Sequence, residues 1–184
     1  AWVDAGFARY EPDGAFNSDT DTWSGTLGWR RQLSERMDVE GSVGGRRTDS
    51  DFGNDSGFLF NARVNRRTER GRLFAIVSRT YQPNAYGEEV NVDRLRLGMN
   101  QGISDRMSWT LSGNLFTTDD SSTGRNNRNQ DYANVRASLQ RAFTQSWSVR
   151  GSYSYTWVDR ERDSGSATRN AVELSVVYSP PRRL

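Results

Sequence analysis

Cysteine, histidine and lysine are all missing from this chain of 184 residues. Without cysteine there is no disulfide framework, no thiolate nucleophile and no thiolate metal site. Without histidine the usual general base and the commonest transition-metal ligand are lost, and a Ser–His–Asp triad is impossible. All 25 basic residues are therefore arginine, which we read as compositional bias first and chemistry second. No apolar run reaches the ~18 residues of a transmembrane helix, and neither a Gly-rich phosphate loop nor a metal-ligand cluster is found. Hydrophobic residues make up only 34% of the chain and the mean hydropathy is −0.86, values that by themselves point to a soluble or disordered protein.

The aromatics contradict that reading. Six Trp, seven Tyr and eight Phe are too many for a disordered chain. A chain that is polar overall yet aromatic-rich fits a membrane β-barrel, where only alternate residues of each strand meet lipid.

Period-two segments alternate with polar breaks along the whole chain, and the length suits one domain. The pattern predicts ten strands at 1–10, 22–33, 37–48, 57–67, 71–81, 89–101, 106–117, 131–142, 146–158 and 169–179. In the ninth, Trp147, Val149, Gly151, Tyr153, Tyr155 and Trp157 share one face, and Ser148, Arg150, Ser152, Ser154 and Thr156 the other. Aromatics at both ends of an apolar face resemble the girdles at two membrane interfaces. By the same phase Trp23, Trp29, Phe58, Phe60, Trp109 and Tyr178 are lipid-facing candidates. The fifth strand, Leu73-Phe74-Ala75-Ile76-Val77, is apolar on both faces and is left unoriented.

Short connections are expected near 34–36, 68–70, 102–105 and 143–145, and long ones at 11–21, 49–56, 82–88, 118–130 and 159–168. Three short ones share a form: Leu33-Ser34-Glu35-Arg36-Met37, Ile103-Ser104-Asp105-Arg106-Met107 and Phe143-Thr144-Gln145-Ser146-Trp147. An apolar residue, a hydroxyl, two polar residues and an apolar residue describe a tight turn. The expected fold is an all-β, ten-stranded antiparallel up-and-down transmembrane β-barrel with short periplasmic turns, long extracellular loops and both termini on the periplasmic side. A soluble antiparallel sandwich is the alternative; it explains alternation, but neither the end-placed aromatics nor loops sorted by length.

The ending Asn170-Ala171-Val172-Glu173-Leu174-Ser175-Val176-Val177-Tyr178 resembles the terminal strand that barrel-assembly machinery recognises, although a tail, 179–184, follows the final aromatic. The resemblance to bacterial outer-membrane, porin-like β-barrels covers essentially the whole chain and rests on pattern. The stretch Ser78-Arg79-Thr80-Tyr81-Gln82-Pro83-Asn84-Ala85-Tyr86-Gly87-Glu88-Glu89 is similar to a hairpin loop of porin-like barrels, some of them associated with exopolysaccharide export. The resemblance implies a Gram-negative outer-membrane location. Omptin proteases and the outer-membrane phospholipase are also small barrels, but their active sites use a histidine that this chain lacks, so neither activity carries over.

Strand phase points Arg30, Arg46, Arg63, Arg94, Arg96, Arg136 and Arg150 inward, together with Asp4, Asp38, Glu40 and Glu173. Such a set either fills a plugged lumen with Arg–carboxylate pairs or lines a narrow pore that favours small anions. The long breaks are acidic, carrying Glu11, Asp13, Asp19, Asp21, Asp49, Asp51, Asp55, Glu88, Glu89, Asp119, Asp120, Asp159, Glu161 and Asp163 against Arg125, Arg128, Arg160 and Arg162. They form either an ordinary solvated rim or a surface that shares divalent cations with lipopolysaccharide phosphates. The short-turn side is basic, with Arg36, Arg67, Arg70, Arg106, Arg182 and Arg183 against Glu35, Glu69 and Asp105.

The pI near 9.2 does not amount to a nucleic-acid footprint, because arginines alternate with carboxylates and form no basic stripe. The neighbouring carboxylates Asp119 and Asp120, or Glu88 and Glu89, point apart and make poor catalytic pairs. The sequence thus predicts a non-enzymatic barrel without cofactor or specific metal site, possessing either a channel or a plugged core with partner-binding loops. Its partners would be outer-membrane lipid and lipopolysaccharide, with other envelope proteins or a polysaccharide as further candidates. The chain is read as one domain over 1–184, with the C-terminal part of a longer protein left open.

Overall fold

The computed structural model describes residues 1–10, 20–50, 53–83, 89–120, 129–160 and 165–180. Ten strands account for nearly all of them: β1 (Trp2–Tyr10), β2 (Thr20–Ser34), β3 (Met37–Ser50), β4 (Gly53–Thr68), β5 (Gly71–Pro83), β6 (Glu89–Ser104), β7 (Met107–Asp120), β8 (Gln130–Ala142), β9 (Trp147–Arg160) and β10 (Gly165–Tyr178). They form one antiparallel up-and-down sheet in chain order, with no helix among the described residues. Here β1 pairs only with β2 and β10 only with β9, so the sheet is open at both edges.

The ten expected strands are all present, but several run farther at the loop end than alternation indicates. All five breaks expected to be long shrink accordingly: strands flank 11–19, 51–52, 84–88, 121–129 and 161–164. Asp21, Asp49, Asp55 and Asp159 are strand residues, not loop residues. The reason is that ladder hydrogen bonds continue wherever two backbones stay adjacent, whether or not the side chains alternate. The turn ends match closely, at 35–36, 69–70, 105–106 and 143–146.

Register joins the strands into two faces. Leu27 is opposite Val43, and Val43 opposite Phe60. Leu97 is opposite Ala75 and Gly113, and Tyr153 is opposite Ala137 and Val172. Apart from the pairs Ser34–Met37 and Ser104–Met107 beside two turns, every pairing keeps apolar phase with apolar phase, as a two-residue side-chain period requires. The same register orients β5: Leu73, Ala75 and Val77 join the apolar face, while Phe74 and Ile76 belong to the polar one. Phe74 lies over Gly98, where a Cβ would have no room.

The two faces differ in burial, and in the reverse sense from a soluble protein. Of the six buried residues among the described ones, Gly28, Arg46, Thr48, Ser78 and Val92 stand at polar-face positions, and Gly41, without a side chain, at an apolar-face one. The large apolar side chains lie open on the other face, with Val43 64% and Val172 83% exposed. Since ordinary cores bury such residues, no second layer covers this sheet among the described residues. The polar face is the concave one, for Arg46 of β3 reaches across β4 to side chains of β5 and β6.

On the apolar face, charges are confined to the strand ends: Arg9, Asp21, Arg47, Asp49, Arg79, Asp93, Asp131 and Asp159 toward one end, Arg31, Arg66 and Arg141 toward the other. Between them lies a charge-free band such as Trp23–Trp29 or Ala133–Leu139. Seven residues at ~3.3 Å each give roughly 23 Å along a strand. Rings pair along its borders, with Phe7 and Trp23 centroids 4.4 Å apart near one and Trp147 and Tyr178 centroids 4.7 Å apart at the other. Beyond the first border Arg9 grips Asp21 at 2.7 and 2.9 Å, and that hydrogen bond holds the Asp21 carboxyl below its usual pKa.

The shared turn form has a shared structure. Ser34, Ser104 and Thr144 each accept, through the side-chain oxygen, the backbone N–H two residues on, at 3.3, 3.3 and 3.2 Å. This hydroxyl closure is what the sequence form encodes. Register shifts at Gln32/Ser34 and Gly102/Ser104 mark bulges in two of these turns.

Candidate functional site

The polar face collects the charged candidates. Arg30, Asp38, Glu40, Arg46, Arg63, Arg94, Arg96, Arg136, Arg150, Glu173 and Asp4 all occupy positions of this phase. The aromatic candidates Trp23, Trp29, Phe58, Phe60, Trp109, Trp147, Tyr153, Tyr155, Trp157 and Tyr178 all occupy the apolar phase. Of the acidic loop candidates, Glu11, Asp13, Asp19, Asp51, Glu88, Glu161 and Asp163 lie outside the described residues, as do Arg125, Arg128, Arg162, Arg182 and Arg183.

Three groupings structure the polar face. At the turn end of β2–β4, Arg30 faces Asp38 and Glu40, each at 3.7 Å, and Asn65 donates to Asp38 at 3.0 Å. On β8–β9 the guanidinium of Arg150 donates twice to the Gln140 side-chain oxygen, at 3.2 and 2.7 Å. These satisfy their own members.

At the loop end Arg46 forms the third grouping, with a side chain only 1% exposed. Its guanidinium donates to Asp55 at 2.8 Å, Thr48 at 3.2 Å and Asn91 at 3.3 Å, and lies 3.9 Å from the centre of the Tyr81 ring. A buried cation needs such a set of acceptors. Sequence phase alone does not find it. Tyr81 and Asn91 share the phase of Arg79 and Asp93, which pair with each other and belong to the apolar face. The β4–β5 ladder stops at Phe60 and Arg79, so the β5–β6 hairpin leaves β4 and turns Tyr81 and Asn91 toward Arg46. Asp55 was expected in a loop; β4 extends back past Gly57, and its period places Asp55 on this face.

Four further arginines have no carboxylate partner: among the described residues Arg63, Arg94, Arg96 and Arg136 form no ion pair. Arg63 Nε, Arg94 Nε, Tyr81 OH and Asn114 Oδ1 are buried without a hydrogen-bond partner. Toward the turn end a cavity of about 650 Å³ is lined by Arg67, Arg72, Phe74, Asn100, Thr110 and Ser112 among others. The face thus carries cationic donors without carboxylate partners, and no group of metal-ligating side chains occurs among the described residues. No protein-family model and no curated protein matches the chain.

Proposed function

We propose that the chain closes into a ten-stranded barrel in a bacterial outer membrane, its apolar face in lipid and its polar face around a narrow, net-positive channel for small anions. The supporting observation is the inside-out distribution of side chains: large apolar groups exposed on the convex face, arginines and hydroxyls on the concave one. The apolar-face charges Asp21 and Arg31 stand roughly 33 Å apart along β2, which a strand tilt of ~40° projects to roughly 25 Å, the height of the apolar belt of such barrels. Closure joins β1 to β10, which run antiparallel because the strand number is even. The chain then conducts or binds and does not catalyse.

Planar-bilayer conductance under a salt gradient tests this. Discrete steps with anion preference are expected, and Arg94→Glu with Arg96→Glu should reverse the preference. Unchanged selectivity in that double variant removes these arginines from the constriction. A plugged barrel is the second reading, favoured by the Arg46 grouping that fills the loop end. Folded, inserted protein without conductance would select it and direct attention to loops that bind an envelope protein or polysaccharide.

A further inference from the structure

We infer that the polar face of β6–β8 is a binding site for a carboxylated sugar, centred on Asn114. This deepens the channel reading and rests on it in one respect, that the face lines an interior. Three register rows meet here: Arg94 with Phe116 and Tyr132, Arg96 with Asn114 and Asn134, and Gly98 with Ser112 and Arg136.

The patch has three unusual properties. First, Arg94, Arg96 and Arg136 face no carboxylate, whereas Arg30, Arg46 and Arg150 have acceptors of their own. On the described polar face of β5–β9 only Asp120, at the strand end, occupies an acidic position. Second, Phe116 and Tyr132 stand at polar-phase positions, stacked with centroids 4.7 Å apart and planes 19° apart, and Arg94 lies 5.8 Å from the Phe116 ring. Lipid does not explain aromatics on this side of the strand. Third, Asn114 Oδ1 and Arg94 Nε are buried with no partner, one an unused acceptor and the other an unused donor.

One ligand chemistry answers all three. A carboxylate takes paired donors from arginine forks. A hydroxyl on the same ring donates to Asn114 Oδ1 once neighbouring side chains uncover it, and the C–H face of a pyranose packs on the outer side of the Phe116–Tyr132 stack. An inorganic anion meets only the first requirement. Arg96 and Arg136 lie two strand spacings and two residues along the strand apart, roughly 12 Å between Cα atoms, and their long side chains can close on one sugar unit.

Titration calorimetry on the refolded protein in micelles, with trigalacturonate as probe and galactotriose as its neutral counterpart, is the test. Saturable binding at least tenfold tighter for the acidic trimer is expected. Arg96→Gln with Arg136→Gln should weaken it tenfold or more, and Asn114→Ala or Phe116→Leu severalfold, in proteins that still show heat-modifiable gel mobility. Equal affinity for sulfate, no difference between the two trimers, binding indifferent to these variants, or no binding by folded wild type would each overturn the inference. Anion-selective conductance without trigalacturonate binding leaves the channel reading standing alone. Binding without conductance does the reverse.

Discussion

Substituting one side chain in the middle of the apolar face separates lipid from water as its solvent. Val43 is at the centre of β3, 64% exposed, with Leu27 and Phe60 opposite it on the adjacent strands and the first charge of its row, Arg79, two strands away on β5. In water Val43→Arg would be an ordinary surface change, within about 0.5 kcal/mol of wild type. At a bilayer midplane a lipid-facing Arg costs about 2–4 kcal/mol. The difference of at least ~1.5 kcal/mol is well within reach of reversible urea unfolding in liposomes, followed by tryptophan fluorescence. Thr168→Arg, of the same phase but toward the loop end of β10, is the depth control and should cost about 0–1 kcal/mol. If Val43→Arg in liposomes matched wild type to within 0.5 kcal/mol, the apolar face would not be a membrane surface, and the barrel reading would be lost with it.

Arg46→Ala should destabilise by about 3 kcal/mol in the same assay, from a desolvated cation–π contact of ~2 kcal/mol and a charge-assisted hydrogen bond at the low end of its range. The low end applies because Asp55 is 45% exposed and can rehydrate, whereas Arg47→Ala, on an exposed pair with Asp49, should cost less than 1 kcal/mol. Equal losses for the two would discount the Arg46 grouping. Gly98→Val should cost about 1–3 kcal/mol by driving Phe74 from its place, while Gly113→Ala, with open space around it, should stay near wild type. Because the chain has no cysteine, paired Cys substitutions report closure cleanly: in membranes Val3→Cys should oxidise with one of Val172→Cys, Leu174→Cys or Val176→Cys, which share its phase, and not with Glu173→Cys or Ser175→Cys. Failure of every like-phase pair would mean that β1 and β10 do not meet.

What the sequence made legible follows from what alternation reports. Strand existence, turn positions and the assignment of residues such as Trp147 and Arg150 to opposite faces depend on a period of two, which the residues carry directly. Strand ends were less legible, because stretches such as Asp49 and Asp55 stay hydrogen-bonded beyond the band where side chains alternate. The orientation of β5 needed its neighbours, since Phe74 and Ile76 are apolar at polar-face positions and only register against Gly98 and Arg63 assigns them. Of the Arg46 grouping only the inward phase of Arg46 itself was legible. Tyr81 and Asn91 join it because one hairpin departs from β4, a three-dimensional event that no strand records in its own residues.

The strictly sequential strand order carries a consequence for how such a chain changes over generations. Each strand bonds only to the ones before and after it, and successive turns interlock, with Arg36 accepting from Arg67, Arg70 from Gly102 and Arg106 from Ala142. A hairpin is then the natural unit of gain and loss. Excising β7 and β8 would bring β6 against β9 with directions still alternating and apolar phase still matched, and duplicating them would widen the sheet without altering any other pairing. Lineages built on this plan can resize the barrel by whole hairpins while every remaining strand keeps the neighbours' faces it already fits.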